Sequence, residues 1–351
     1  MTPEERSEGV LRHTEEVVTE DELSALFERE EPPSVYIGYA PTGEMHIGHF
    51  TTIRKLVDFL DAGCDVTVLI ADLHAHLDAE KSPFDLLEAR SRYYREAIEA
   101  MIAAAGGNPD DLRFIQGTEF ELEAPYTLEL YRLAATTTTT RAQRAGSEVV
   151  RQRDNPTLGG LLYSLMQCLD VAALDADIAY GGIDQRGIYM LAREVLPTIG
   201  HEKPICVFAP LLSGLEGGKM SASERTSGVY LTDDEATITE KVMDAYCPAG
   251  STENNGILEY LRYLIFPVLE ERGQQFVIER PEEYGGELSF EGYDALEQMF
   301  LDGELHPQDL KDATAAAIES LVAPIRARLL DHPLMLADAY PDRYAEQQSV
   351  D

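Results

Sequence analysis

A chain of 351 residues that is 44% hydrophobic has material for a catalytic domain and a smaller second unit, which excludes wholesale disorder. No apolar run reaches the roughly 18 residues of a membrane-spanning helix, and the acidic N-terminal stretch lacks a signal peptide's basic flank, so the chain reads as cytoplasmic with no membrane partner. A net charge of −36 by itself argues against a nucleic-acid partner, because phosphate binding needs Lys and Arg.

The acidic residues are spread along the chain and form no single tail, a distribution that keeps proteins soluble in a very salty cytosol. From residue 34 the pattern alternates between strand and helix, which predicts an α/β fold built on a doubly wound parallel sheet. Residues 34–39 read as a strand, and 46–62 as a helix stopped by Gly63. Residues 65–71 are β-branched and apolar, a buried strand; 83–105 form a long amphipathic helix ended by Gly106 and Gly107, and 112–116 a further strand. Residues 126–150 look helical but are interrupted by the threonine run 136–140, which has poor helix propensity. Segments 158–174, 178–180, 185–195 and 205–208 continue the alternation. A Gly- and Ser-rich loop follows Gly214, helices with acidic faces run to about residue 330, and the last twenty residues read as a frayed tail. Cys64, Cys168, Cys206 and Cys247 are scattered, which suits neither a zinc site nor a disulfide framework and fits a reducing compartment.

Three groups of residues carry chemistry. The first is the stretch Ala40, Pro41, Thr42, Gly43, Glu44, Met45, His46, Ile47, Gly48, His49, placed where a strand ends and a helix begins. That junction is where nucleotides bind in such sheets, against a helix N-terminus that favours phosphate. His46 and His49 project from one side of the first turn, and Gly48 between them leaves room for a base or ribose. Two surface histidines, or a shared metal ion lacking an obvious third ligand, are the plainer readings. The second group is Gly217, Gly218, Lys219, Met220, Ser221, Ala222, Ser223, a mobile loop bringing one ammonium and several hydroxyls to a polyphosphate. Its spacing is not that of a P-loop, and a solvated loop is the alternative. Both elements in one chain are more specific than either alone.

Together they resemble the His-Ile-Gly-His and Lys-Met-Ser-Lys-Ser signatures of class I aminoacyl-tRNA synthetases, with Ala222 standing where the second signature has its lysine. The resemblance implies a Rossmann-like catalytic domain over residues 1–225, with a connective insertion at 118–155 as a dimer interface and a mobile loop at 213–225. It further implies a helical anticodon-binding domain at 226–330 and a tail at 331–351. It makes His46, His49 and Lys219 the catalytic residues. ATP would be held by Gly38, His46, Gly48, His49, Lys219, Met220 and Ser221, with Mg²⁺ arriving on the nucleotide and no dedicated protein metal site.

The third group selects the amino acid. Tyr163, Gln167 and Asp170 fall at i, i+4 and i+7 of one helix, a single polar stripe that could equally be a solvated face. Gln185 follows at another strand-to-helix junction. The arrangement is similar to the tyrosine pocket of archaeal and eukaryotic tyrosyl-tRNA synthetases. By that resemblance Tyr36 and Asp170 would bond the substrate phenol, Tyr163, Gln167 and Gln185 its α-amino group, and Leu69 and His74 would line the slot for the ring. The implied partners are L-tyrosine, ATP, tRNA(Tyr) and a second copy of the chain, and the acidic composition adds a halophilic archaeal source. Downstream, Tyr284 and His306 would stack on the first anticodon base, with Asp309 accepting its hydrogen bonds, while Arg144 and Arg186 would meet the acceptor stem. His306-Pro307 is also an ordinary helix start. Tryptophanyl-tRNA synthetase and a small-molecule nucleotidyltransferase are the competing expectations.

Overall fold

The computed structural model describes all residues except 79–80, 151–156, 216–227 and 345–351. Its contacts divide the chain into two units: Met1–Gly43 with Thr52–Pro210 and His332–Asp351, and Glu44–Thr51 with Leu211–Asp331.

The first unit is built on a six-stranded sheet of β1 (Glu16–Val18), β2 (Ser34–Tyr39), β3 (Asp65–Ile70), β4 (Leu112–Gln116), β5 (Ile178–Gly182) and β6 (Ile205–Ala209). The spatial order is β1-β6-β5-β2-β3-β4, and β2 to β6 run parallel as the alternation predicts. Every residue of β5 and β6 is buried, which is why these strands read as unbroken apolar runs. Chain order reverses between β2 and β5, so a crevice opens at their carboxyl ends.

Three features differ from the sequence reading. The N-terminal stretch was given no element, yet it forms the helices Pro3–Leu11 and Glu20–Phe27 and an edge strand, β1, antiparallel to β6. The hydroxyls of Thr2 and Thr19 cap the two helices by accepting from Glu5 N and Glu22 N. The threonine run does not weaken one long helix but separates two, Ala124–Thr136 and Thr139–Ala145. Thr138 caps the second by accepting from Arg141 N, so the run is a stop and a start. Within the expected frayed tail, Pro333–Ala339 form a helix that packs on Phe84–Ala104, while 345–351 lie outside the described residues. Leu336, Ala337 and Ala339 are fully buried there, and the Tyr340 ring meets Tyr93 edge-on at 5.2 Å.

In the second unit Glu235–Asp244 packs on the long helix Pro307–Leu330, and β7 (Phe276–Ile278) pairs with β8 (Leu288–Phe290) as a hairpin. The short segment Glu44–Thr51 belongs here by its backbone: Ile47 N donates to Val229 O at 2.8 Å and Leu231 N to Met45 O at 3.3 Å. No helix among the described residues is long and apolar enough to cross a membrane.

Candidate active site

Residues from four places in the first unit form one buried polar cluster. Tyr36 comes from β2, Leu69 from β3, His74 from the short helix Asp72–Leu77, and Tyr163, Gln167 and Asp170 from Leu158–Ala173. The polar stripe on that last helix is no solvated face: Tyr163 is 8% exposed, Gln167 6% and Asp170 0%. Buried polar groups must find partners, and here they find one another. Tyr126 Oη donates to Asp170 Oδ1 at 2.6 Å, and His74 Nε2 stands 3.4 Å from Asp170 Oδ2. The Tyr163 ring meets the His74 imidazole edge-on at 4.7 Å, and Gln167 Nε2 donates to Gln185 Oε1 at 2.9 Å. Gln185 is aligned in turn by donating to Asp184 Oδ1 at 3.2 Å. Gly38 has a steric reason to be glycine, since a Cβ there would lie 3.0 Å from the Tyr36 hydroxyl.

Electrostatics follow from this burial. Desolvation pushes the Tyr36 phenol well above its ordinary range, so it remains a hydrogen-bond donor. Burial also opposes charge on His74, but the carboxylates of Glu121 and Asp170 outweigh it and raise the imidazole to about 9. Asp170 Oδ2 and Gln167 Oε1 are buried without a hydrogen-bond partner among the described residues. A dry cluster of aligned donors and acceptors with unmet capacity is suited to a ligand that is apolar in its body and hydroxylated at its tip.

The histidine pair lies in the second unit. The His46 and His49 rings sit 4.2 Å apart at the start of the helix Gly48–Asp61. Gly48 N donates to His46 Nδ1 and His46 N to His49 Nδ1, each at 3.2 Å. His46 therefore carries its proton on Nε2. Desolvation lowers His46 well below its usual value and His49 to about 4, so at neutral pH both rings are uncharged. His46 can donate its Nε2–H to an anion, but neither ring brings a formal charge to it. Tyr230 lies 6.0 Å from His46, and the backbone at 229–231 bonds that at 45–47. Lys219, Met220 and Ser221 lie outside the described residues.

The residues expected to meet RNA are at the surface. Arg144 is exposed, and Arg186 is exposed and forked onto Glu16 at 2.5 and 2.9 Å, a pair that a phosphate would have to displace. Tyr284 is 67% exposed in a turn closed by Gly285 at a φ of +101°, which only glycine adopts without strain. His306 starts Pro307–Leu330, its Nδ1 accepting from Gln308 N at 3.1 Å, and Asp309 stands in the first turn. Arg280 donates to Gly286 O and to Glu304 O and so ties the Tyr284 turn to the segment entering His306.

Residues 28–323 match the family described as tRNA synthetases class I (W and Y). The chain is 68% identical over 344 residues to the tyrosine–tRNA ligase of Natronomonas pharaonis, covering 98% of this chain and all of that one. It is 65% identical over 347 residues to the tyrosine–tRNA ligase of Haloarcula marismortui, covering 99% of this chain and all of the relative. It belongs to the tyrosyl-tRNA synthetases. The type is the archaeal and eukaryotic one, as the pocket residues implied. The fold agrees: the tyrosyl-tRNA synthetase from Archaeoglobus fulgidus, solved with L-tyrosine, superposes with a TM-score of 0.87 at 39% identity, over 93% of this chain and 99% of that one. As a class I aminoacyl-tRNA synthetase the enzyme uses ATP.

Sequence reasoning missed Tyr126 and Glu121, both buried beside Asp170 and His74. Neither belongs to a spacing pattern: Tyr126 opens a helix and Glu121 follows a 3₁₀ turn, and only long-range packing brings them in.

Proposed function

We infer that this chain activates L-tyrosine with ATP and transfers it to the 3′ end of tRNA(Tyr), with the cluster around Asp170 as its tyrosine pocket. The observation carrying this reading is Asp170 itself, fully buried, with Tyr126 on one oxygen and the other lacking a hydrogen bond among the described residues. A phenol completes that carboxylate, whereas a phenylalanine ring would leave it and the Tyr36 hydroxyl unmatched at a cost in free energy. Gln167, Gln185 and Tyr163 take the α-amino group, and Leu69 and His74 border the ring.

In the first step the tyrosine carboxylate attacks the α-phosphorus of ATP in line and pyrophosphate leaves. In the second, the terminal adenosine hydroxyl of the tRNA takes the tyrosyl group and AMP leaves. No covalent enzyme intermediate is required, so positioning and charge stabilisation supply the catalysis. His46 and His49 act as neutral N–H donors to the phosphates, and Lys219 and the Mg²⁺ that accompanies ATP supply positive charge. Gly38, Gly48, Met220 and Ser221 complete the nucleotide site. Tyr284, His306 and Asp309 read the anticodon base, and Arg144 and Arg186 meet the acceptor stem. Exposed Leu122, Leu128 and Tyr131 on the connective insertion support pairing with a second copy there, in a cytoplasmic homodimer.

Amino-acid-dependent pyrophosphate exchange across the twenty amino acids tests the reading. Tyrosine alone should stimulate exchange; stimulation by tryptophan instead would overturn it.

A further inference from the structure

His74 lies between two carboxylates. Its Nε2 faces Asp170 Oδ2 and its Nδ1 faces Glu121 Oε1, both at 3.4 Å, and all three side chains are buried. A neutral imidazole has one N–H and would turn a lone pair toward one carboxylate; only the imidazolium presents an N–H to each. The other groups facing this ring are Asp72 on its own helix, Tyr163 from Leu158–Ala173, and the Tyr126 and Tyr36 phenols near Asp170.

The two further acids differ in how they are held. Asp72 accepts four hydrogen bonds, from Gln116 Nε2, Thr118 N, Thr118 Oγ1 and Leu73 N at 2.7–3.0 Å, and is satisfied without His74. Glu121 is 4% exposed, and neither of its oxygens has a well-aligned hydrogen-bond partner among the described residues. Its polar engagement is the pair with His74. Room for it is made by Gly117, where a Cβ would lie 2.7 Å from Glu121 Oε1 and 2.8 Å from Asp72 Oδ1. A carboxylate taken out of water this completely costs free energy unless a counter-charge meets it. The chain keeps that cost for a carboxyl group with no hydrogen bond of its own among the described residues.

A divalent cation could answer the same charge, since one ligand atom from each of His74, Glu121 and Asp170 lies within 4.8 Å of the others. The ring orientation speaks against it. A different nitrogen is turned to each acid, so a lone pair given to an ion beside one carboxylate leaves the other facing the opposite ring nitrogen.

We propose that Glu121 is a positioning residue for substrate choice: across the His74 ring it holds the imidazole protonated and in register, and the imidazolium in turn fixes Asp170 in place to receive the tyrosine phenol. This rests on Asp170 being the phenol acceptor. Glu121 touches no substrate and acts through His74. With a glutamine in its place the imidazole loses one of the charges that hold its proton, and with that proton goes the N–H that fixes Asp170.

The test is Glu121→Gln, with Glu121→Asp as the carboxylate-retaining variant, in tyrosine- and phenylalanine-dependent pyrophosphate exchange between pH 6 and 10. Glu121→Gln should raise the KM for tyrosine by about five- to tenfold, as for a weakened hydrogen bond to a charged group. The KM for ATP should hold, and the tyrosine-to-phenylalanine ratio should narrow. Wild-type KM for tyrosine should rise as pH passes about 9, where His74 releases its proton. In Glu121→Gln that rise should begin at least one pH unit lower, and Glu121→Asp should recover part of it. Nitrogen-15 NMR of the His74 ring, assigned by loss of its signal in His74→Gln, should show both nitrogens protonated at pH 7.5 in the wild type and a lower titration midpoint in Glu121→Gln. An unchanged KM, pH profile and His74 midpoint in a wild-type enzyme that does use tyrosine would overturn the proposal. A wild type inactive with tyrosine would instead overturn the pocket assignment.

Discussion

Tyr126 and Asp170 share the shortest hydrogen bond in the pocket, so Tyr126→Phe is the sharpest single-atom deletion available. It should cost about 1–3 kcal/mol of stability, because a buried carboxylate oxygen loses its donor. Urea unfolding in concentrated KCl reads this, and a midpoint equal to wild type would mean the bond contributes nothing net. His74 makes a second, pH-dependent prediction. Its folded-state value of about 9 lies above the ordinary 6.5, so its stabilising contribution is fully present below about 6.5 and is lost as pH rises through 9. His46 and His49 have the opposite sign: their folded values lie below 6.5, so the unfolded chain binds more protons in mildly acidic solution and stability rises with pH there. Replacing His74 with Gln should therefore flatten the decline between pH 6.5 and 9 and leave the acidic limb in place. A decline that persists in the variant would assign it to other groups. At this scale the sequence was readable where one helix carried the information. Tyr163, Gln167 and Asp170 showed by their 3.6-residue period that they share one helix face, and the family resemblance, not the period, marked that face as a pocket, while Glu121 and Tyr126 became visible only once separate elements were packed.

At the scale of elements, parallel strands buried on both faces left apolar runs that no surface segment imitates, so β2 to β6 were legible nearly to the residue. β1 was not, because three half-buried residues at a sheet edge show neither an apolar run nor a clean alternation. The C-terminal helix was hidden for a different reason. Pro333 and Pro341 read as breakers, but each stands in the first turn of a helix, where a missing N–H is harmless. Leu336 is fully buried in that helix, and Leu336→Ala should lower stability by about 2–4 kcal/mol through a lost side chain and the cavity left behind. Thermal unfolding checks this. A shift too small to measure would return residues 333–339 to the status of a tail.

For the whole molecule the dominant number is the charge of −36. Arg54 and Lys55 are buried against Asp58, with Lys55 Nζ donating to Asp58 Oδ2 at 2.9 Å and to Gly9 O and Arg12 O, so part of a small cationic complement is withdrawn from solvent. In 0.1 M salt the screening length is about 10 Å and the acidic side chains repel one another; at 1 M it is about 3 Å and they scarcely do. The melting temperature and the tyrosine-dependent exchange rate should both climb as KCl is raised from 0.1 to 2 M. A maximum in dilute buffer would remove the salt-adapted reading. The acidic composition pointed away from RNA, and charge alone would have given the wrong partner.

The polypeptide leaves its first unit at Pro210 and returns to it at His332. During synthesis, then, the α/β unit is begun early and must wait for its closing piece: Tyr93 has no Tyr340 ring against it, and Arg90 no Ala339 carbonyl, until residues 333–340 have been made. The intervening unit can acquire all its own residues before the one that encloses it in the chain is whole, so the order of completion on the ribosome reverses the order of the gene.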